Sequence, residues 1–193
     1  MDNATKLARL YEECAAYFDG IYAPEKKVYV FGDGSTKAKI VMIGEAPGEQ
    51  ETIQGKPFVG KAGKNLDEFL RESGFERSEL YISNTVKIRP SKISDAGRVV
   101  NRPPTREEIE LFLPWLKKEI SIVAPECIVT LGNVALRALL GREYNIGAVH
   151  GQRIQTEFGL VIPLYHPASV IYNPALRETY LEDVRSLREL KQN

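Results

Sequence analysis

The chain has 193 residues, of which 43% are hydrophobic and 27% charged, and its formal net charge at pH 7 is zero. This composition is typical of a globular protein with a sizeable core. No apolar run approaches the roughly 20 residues of a membrane span, and the charged N-terminal segment lacks the apolar stretch of a signal peptide. We therefore predict a single domain over residues 1–193, monomeric and cytoplasmic, with no membrane partner.

The sequence contains two cysteines, Cys14 and Cys127, and two histidines, His150 and His166. Two cysteines without a short spacing form neither a disulfide framework nor a cysteine-rich metal site. Two histidines are equally few for a histidine-rich metal site. We therefore predict no metal ligands in this chain.

Apolar periodicity and turn residues divide the chain into alternating helices and strands. In chain order, the pattern predicts helix 5–18, strands 28–31 and 40–43, helix 64–73, strand 80–83, helix 106–123, strand 126–131, helix 134–140, a short strand between turns within 145–159, strand 160–165 and helix 175–190. Thr105 and Glu108 have the spacing of a capping box at the start of helix 106–123. The alternation predicts a parallel sheet that is covered by helices on both faces.

Residues 87–106 stand apart because they combine six cationic residues with three prolines and show little apolar periodicity. The pattern predicts a long basic loop. Loops of this length inside a compact domain are usually functional or disordered. One interpretation is a surface that binds phosphates, and the alternative is a solvated charged loop.

Three predicted strands end in polar residues, namely Glu45 after Gly44, Asn84 and His166. Strand ends of a parallel sheet share one edge, and ligands bind in the crevice there. An amide can hydrogen-bond to the edge of a base, an imidazole can donate to a developing anion, and a carboxylate can stabilise a cation or orient water. With Phe58 as a stacking platform, this set suits cleavage of a bond between a planar heterocycle and a sugar. Each side chain alone could instead be a cap or a core residue.

Four motifs occur in order, namely GEAPGEQE at 44–51, GKPFVG at 55–60, SNTVK at 83–87 and HPAS at 166–169. Together they resemble the uracil-DNA glycosylase superfamily, and most of all its family 4. The resemblance implies an α/β fold, a three-layer α/β/α sandwich with a central four-stranded parallel sheet. It also implies a DNA repair enzyme that flips uracil out of single- or double-stranded DNA and hydrolyses its N-glycosidic bond, leaving an abasic site.

The same resemblance implies roles for individual positions. Catalytic roles fall on Glu45, Glu51 and His166, and which carboxylate positions water stays open. The substrate-binding positions are Gly44, Ala46, Gly48, Phe58 and Asn84, with Asn84 on the uracil edge and Phe58 stacked on the flipped base. For DNA binding we expect the basic positions Lys87, Arg89, Arg98 and Arg102 and the wedge segment Ser169, Val170, Ile171 and Tyr172.

The sequence departs from family 4 at the cofactor positions. That family usually holds a [4Fe–4S] cluster with four cysteines, whereas only Cys14 matches here and Tyr17, Ile88 and Phe112 stand at the other places. One thiolate cannot hold such a cluster, so we predict no cofactor and apolar packing in its stead. The loop after Lys87 is long, as in a branch that traps DNA covalently through a histidine, but Asn101 lies at about that place and we expect turnover.

Substrate range stays open, because Gly48 stands where the best-known glycosylases have a tyrosine that excludes thymine. Two other functions compete with the enzyme. One is a non-catalytic protein that binds uracil-containing or abasic DNA, and the other is an enzyme for free nucleosides. Retention of Glu45 and His166 favours the enzyme over the binding protein. The apolar segment 170–172 and the basic loop argue against free nucleosides, which need neither.

Overall fold

The computed structural model describes residues 1–191, in which helices and strands alternate as predicted. The helices are α1 (Asn3–Tyr22), α2 (Glu49–Gln54), α3 (Lys61–Glu72), α4 (Arg106–Val123), α5 (Asn133–Leu140), α6 (Ile146–Val149), α7 (Pro167–Tyr172) and α8 (Arg177–Ser186). The strands are β1 (Asp33–Gly34), β2 (Ile40–Gly44), β3 (Tyr81–Asn84), β4 (Ser91–Ile93), β5 (Val99–Asn101), β6 (Cys127–Leu131), β7 (Ile154–Thr156) and β8 (Gly159–Leu164).

The main sheet has six strands in the order β1-β3-β2-β6-β8-β7. Its central four strands, β3, β2, β6 and β8, are parallel, as the sequence predicts. Beyond the four parallel strands that the resemblance implies, two short antiparallel strands, β1 and β7, are added at the edges. Strand β7 lies in the segment 145–159, for which the sequence predicts a short strand, whereas β1 has only two residues, too few to show a periodicity.

Helices cover both faces of this sheet, which gives the predicted three-layer sandwich. Strand β2 shows the alternation most clearly, because Ile40 and Met42 pack with α3 and α8, whereas Val41 and Ile43 pack with α1, α4 and α5. All of β2 is buried, as expected for a central strand of a parallel sheet. None of the helices within residues 1–191 combines the length and the apolar character that crossing a membrane requires.

Two local predictions differ from the structure. Residues 28–31 do not form a strand, although the Val30 N–H donates to the carbonyl of Lys87 at 2.7 Å. The basic segment contains a β-hairpin, β4–β5, with Gly97 at a φ of 72° in its turn. The hairpin was not predicted because each strand has three residues. At α4 the capping box is confirmed, since Thr105 Oγ1 accepts from the Glu108 N–H at 3.2 Å and the Glu108 carboxylate from the Thr105 N–H at 2.7 Å.

Candidate active site

A cavity of about 790 Å³ opens at the carboxyl ends of the parallel strands. Glu45 follows β2, Asn84 ends β3, and His166 lies two residues beyond β8. All three side chains line the cavity, so the structure brings them together as the strand pattern predicts. Phe58 and Asn101 join them, from the loop before α3 and from the hairpin. From the sequence, Asn101 lies at about the place of a DNA-trapping histidine but is given no binding role, because residues 87–106 are predicted as a long loop.

Asn84 is the polar residue most deeply set in this cavity, with 2% of its surface exposed. Its side-chain amide makes no hydrogen bond to any part of the chain within residues 1–191. The amide is not among the buried polar groups that lack a partner, because it faces the open cavity, where a ligand with matching donors and acceptors can bond to it. Gly44 is its register partner, and a Cβ there would lie 2.6 Å from Asn84 Oδ1 and collide with the Phe58 ring. Glycine at position 44 therefore makes room for both side chains.

Phe58 is held in a conformation that residues with side chains rarely adopt. Its φ is 53°, its ring is buried, and the ring centroid lies 5.8 Å from that of His166. The Arg77 guanidinium donates to the carbonyls of Pro57 and Phe58 at 2.5 and 2.8 Å and to the Asp67 carboxylate at 2.9 Å. A left-handed conformation costs a non-glycine residue about 1–2 kcal/mol, and these bonds stabilise it. The ring is thus fixed beside the imidazole.

The two acidic side chains of the first motif differ in their partners. The Glu51 carboxylate accepts hydrogen bonds from the N–H groups of Gly48 at 3.1 Å, Val59 at 2.9 Å and Gly60 at 2.7 Å. Glu51 lines the cavity, but these bonds commit its oxygens to the loop that carries Phe58. The Glu45 carboxylate makes no hydrogen bond within the described chain, and burial raises its pKa. Glu45 is therefore the carboxylate that is free to meet a ligand.

His166 is the N-cap of α7, where its Nδ1 accepts from the Ala168 N–H at 3.2 Å. Because Nδ1 is the acceptor, the neutral ring carries its proton on Nε2. Burial lowers the pKa of His166 to about 4, against a smaller opposing effect of the Glu51 charge. At neutral pH the residue is thus an uncharged imidazole that offers an Nε2–H donor at the cavity.

This pKa predicts a pH-dependent free energy of unfolding. Between the ordinary value of 6.5 and about 4, the unfolded chain binds a proton that folded His166 does not. Stability should therefore fall as the pH drops through this interval and should level off below it. Because the chain has two histidines, NMR can follow each ring. We expect one resonance to titrate near pH 4 and to be missing in His166→Gln, whose stability should fall less. A His166 midpoint near 6.5 would contradict the assignment.

The prediction that Lys87 binds DNA is wrong, because Lys87 is 1% exposed and cannot contact DNA. Its ammonium group donates to Glu119 at 2.5 Å, to Ser83 Oγ at 2.6 Å and to the Asn84 carbonyl at 2.8 Å. The pair therefore lies directly behind the end of β3. Burial acts to raise the pKa of Glu119, but Lys87 and hydrogen bonds from Tyr11 and other groups outweigh it and hold this pKa below its usual value.

The sequence did contain a signal for this buried pair. Glu119 lies three residues after Leu116 and one before Ile120, and therefore on the apolar face of the predicted helix. A carboxylate at such a position is rarely fully buried unless it is paired. From the sequence, the cations of residues 87–106 are treated as a surface, and Lys87 is not paired with Glu119.

Two further cations of this segment also bind within the chain. Arg89 donates to Asn101 Oδ1 at 2.7 Å and to Glu49 at 3.3 Å. Arg102 forms a two-point contact with Glu108 at 2.7 and 2.8 Å. Both arginines brace the base of the hairpin, and their contact with DNA stays a prediction. Arg98 is exposed, and its guanidinium forms no hydrogen bond or ion pair within residues 1–191.

The predicted wedge segment, residues 169–172, lies in the helix α7, so its side chains point in different directions. Val170 is buried in the core cluster, so its predicted place in a wedge is wrong. Ile171 and Tyr172 line the cavity rim, and Tyr172 is 87% exposed. A contact of Ser169 with DNA stays a prediction. The two exposed side chains are the part of the segment that can reach a ligand outside the protein.

The positions that match cluster ligands are filled differently. Cys14, Ile88 and Phe112 lie together in one buried apolar cluster with Phe18. The rings of Phe18 and Phe112 stack with centroids 3.9 Å apart. Burial raises the pKa of the Cys14 thiol to about 12, so it is a neutral thiol rather than a metal-binding thiolate at neutral pH.

Tyr17 differs from its two apolar counterparts, because it is exposed and packs at the edge of this cluster against Trp115. Across residues 1–191 no group of three or more histidine, cysteine or acidic side chains is arranged to hold a metal ion. A [4Fe–4S] cluster needs four ligands, so the residues present do not fit one.

Comparison with known proteins identifies the family. The family model described as "Uracil DNA glycosylase superfamily" matches residues 31–188, which include every cavity residue named above. The chain belongs to the uracil-DNA glycosylase superfamily. Its fold is also similar to that of a solved structure, Pedobacter heparinus SMUG2, with a TM-score of 0.58 over 81% of this chain and 77% of that one. The identity of 15% makes this a likeness of fold alone.

Curated relatives narrow the similarity within the superfamily. The chain is 41% identical over 173 residues to a protein of Archaeoglobus fulgidus named "Type-4 uracil-DNA glycosylase", covering 86% of this chain and 83% of that protein. Proteins with the same name from Sulfurisphaera tokodaii and Thermotoga maritima are 39% and 40% identical. Each of these two alignments covers 82% of this chain. They cover 73% of the Sulfurisphaera tokodaii protein and 81% of the Thermotoga maritima protein. The resemblance stated from the four motifs is confirmed.

Proposed function

We propose that the protein is a DNA repair enzyme that hydrolyses the N-glycosidic bond of uracil in DNA and leaves an abasic site. One observation carries this proposal. The Asn84 amide, which makes no hydrogen bond within residues 1–191, faces the same cavity as a neutral His166 and a Glu45 carboxylate that makes none either. Membership of the superfamily and the names of the relatives support it. As the sequence predicts, we propose that it acts as a monomer in the cytoplasm.

Recognition of the base would rest on Asn84 and Phe58. The uracil edge presents a carbonyl acceptor beside an N–H donor, and an amide side chain can pair with both. A site built on such bonds discriminates strongly against bases that lack them. The Phe58 ring, fixed next to His166, would stack on the flipped base. Gly44, Ala46 and Gly48 would form the backbone wall of the pocket, where a larger side chain at position 44 would collide with Phe58.

Bond cleavage would then depend on His166 and Glu45. The bond between C1′ and N1 breaks with its electron pair passing to the uracil ring, and the Nε2–H of His166 donates to the ring oxygen that gains negative charge. The Glu45 carboxylate stabilises the cationic sugar and orients a water molecule, whose oxygen bonds to C1′. The water proton passes to solvent through Glu45, and the released uracil anion takes up a proton from solvent. Glu51 would act as a positioning residue that holds the loop.

Base flipping leaves a gap in the base stack, which apolar side chains can fill. Ile171 and Tyr172 at the cavity rim suit this part, and Arg98 and the braced Arg89 and Arg102 would contact phosphates. Because the side-chain amide of Asn101 is a poor nucleophile, we propose release of the product rather than a covalent bond to DNA.

We also propose that the enzyme works without an iron–sulfur cluster. The purified protein, prepared without chelators, should be colourless and should contain less than about 0.1 mole of iron per mole of chain, because one neutral thiol cannot replace four ligands. An absorption spectrum and an iron assay on the same sample check this. Stoichiometric iron with a band near roughly 400 nm would contradict it.

The glycosylase hypothesis and the binding-protein hypothesis predict different results in one assay. In the decisive assay, labelled single- and double-stranded oligonucleotides with one uracil are incubated with the protein and then treated with hot alkali. Strand cleavage at uracil, absent with thymine at the same place, supports the glycosylase. A gel shift specific for uracil with no cleavage supports the binding protein. If the protein neither cleaves the strand nor binds specifically to DNA that contains uracil, both the glycosylase and the binding-protein hypotheses are contradicted.

A further inference from the structure

The hairpin β4–β5 carries an exposed aliphatic pair. Ile93 and Val99 are register partners and are 75% and 56% exposed, respectively. Aliphatic side chains at the ends of a short two-stranded sheet contribute little to the core, so their exposure has no evident use in folding. An exposed apolar pair of this kind is typical of a contact surface.

The face that bears this pair is the face that borders the active-site cavity. Side chains two residues apart in a strand point to the same side, as do directly opposed partners. Ser91, Ile93, Val99 and Asn101 therefore share one face, because Ser91 pairs with Asn101 and Ile93 with Val99. Asn101 lines the cavity, so the aliphatic pair continues the cavity wall outward along the hairpin.

The hairpin is also held in place at its base. Arg89 bonds to the Asn101 side chain at 2.7 Å, and Arg102 joins the Ser91 carbonyl at 3.1 Å to the Glu108 carboxylate at 2.7 Å. Both arginines thus fix the strands that carry the pair relative to the cavity and to α4. Such bracing presents the aliphatic face at a defined position without a change of backbone.

The hairpin and α7 lie on different sides of the cavity. The hairpin follows β3, and α7 follows β8, and these strands are the two outermost of the four central parallel strands. Each element ends in exposed apolar side chains, Ile93 and Val99 on one and Ile171 and Tyr172 on the other. A molecule bound over the cavity would meet both.

We infer that the face formed by Ile93 and Val99 is a second contact with DNA, one that packs against the duplex beside the extruded base. This inference rests on the proposed function. Aliphatic side chains pack in the minor groove against sugars and base edges, and they can enter opened base steps. The exposed cation Arg98, which precedes Val99 at the turn of the hairpin, can meet a flanking phosphate. With α7 on the other side, the protein holds the duplex at two points, and the hairpin favours double-stranded substrate.

The test compares uracil release from double- and single-stranded oligonucleotides by the wild type and Ile93→Ser/Val99→Ser. We expect kcat/KM on the duplex to fall about tenfold, the size that loss of modest aliphatic burial predicts, and the single-strand value to change less than about twofold. Val28→Ser is the matched control, because Val28 is an exposed aliphatic residue outside the hairpin and the cavity lining. It should leave both values unchanged.

Other outcomes overturn the inference. Equal losses on both substrates, or an unchanged duplex value, would mean that the pair makes no contact specific to duplex. A change of oligomeric state in gel filtration without a change in duplex preference would assign the face to a second copy of the chain. If the wild type releases no uracil from either substrate, the proposed function fails. Duplex affinity by fluorescence anisotropy then tests the hairpin, and equal affinities of wild type and variant overturn it.

Discussion

Asn84→Ala is expected to lower the single-turnover rate of uracil release by about 10²–10³-fold, the usual effect of removing one preorganised hydrogen-bonding group from a transition state. The substitution removes the amide that meets the base edge, and its bonds strengthen as charge develops on the ring. Folding should be intact, because the side-chain amide bonds to nothing else within the described chain.

The experiment needs single-turnover conditions, so that product release does not mask the chemical step. Asn145→Ala is a suitable control, because Asn145 is an amide that caps α6 and does not line the cavity. DNA affinity, measured by anisotropy with an oligonucleotide lacking uracil, should be unchanged in both variants. A rate for Asn84→Ala within twofold of the wild type, in a protein that melts normally, would remove Asn84 from the site.

The cavity shows why some features could be predicted from sequence. Glu45, Asn84 and His166 each follow a buried strand, and the edge that parallel strands share is enough to bring them together. The periodicity of α4 and its capping box are local features of the chain, and both were predicted correctly. Strand and helix patterns therefore located the site before any contact was known.

Other features depend on contacts that a linear pattern does not contain. The Glu51 carboxylate accepts hydrogen bonds from three N–H groups, and two of these donors lie eight and nine residues further along the chain. The linear pattern does not contain these bonds, and so it cannot show that Glu45 is the carboxylate without a hydrogen bond. Lys87 was predicted on a surface because its neighbours are basic, yet its partner Glu119 lies 32 residues away. Val170 is buried and Tyr172 is exposed because of the way α7 is oriented on the core. The apolar pattern of the segment does not contain this orientation.

Lys87→Met is expected to lower the free energy of unfolding by about 3–5 kcal/mol, because it leaves the Glu119 carboxylate buried without its cation. Lys87 and Glu119 are both almost fully buried, and their groups are 2.5 Å apart. The double variant Lys87→Met/Glu119→Gln removes both charges and should recover most of the loss. Urea unfolding of the wild type, the single variant and the double variant measures this difference.

The pH dependence of the same variants separates loss of the ion pair from loss of packing. In the wild type the pKa of Glu119 is lowered, so its contribution to stability is lost as the pH falls through that pKa. In Lys87→Met, burial without the cation raises the pKa of Glu119 above its unfolded value, so the folded protein binds a proton that the unfolded chain does not. Between neutral pH and the ordinary glutamate pKa of 4.5, the stability deficit of Lys87→Met should therefore shrink as the pH is lowered. The deficit of the double variant should stay constant in this interval, because position 119 changes its protonation neither in the double variant nor in the wild type. A deficit of Lys87→Met that is constant with pH would mean that packing, and not an unpaired carboxylate, is what the substitution disturbs.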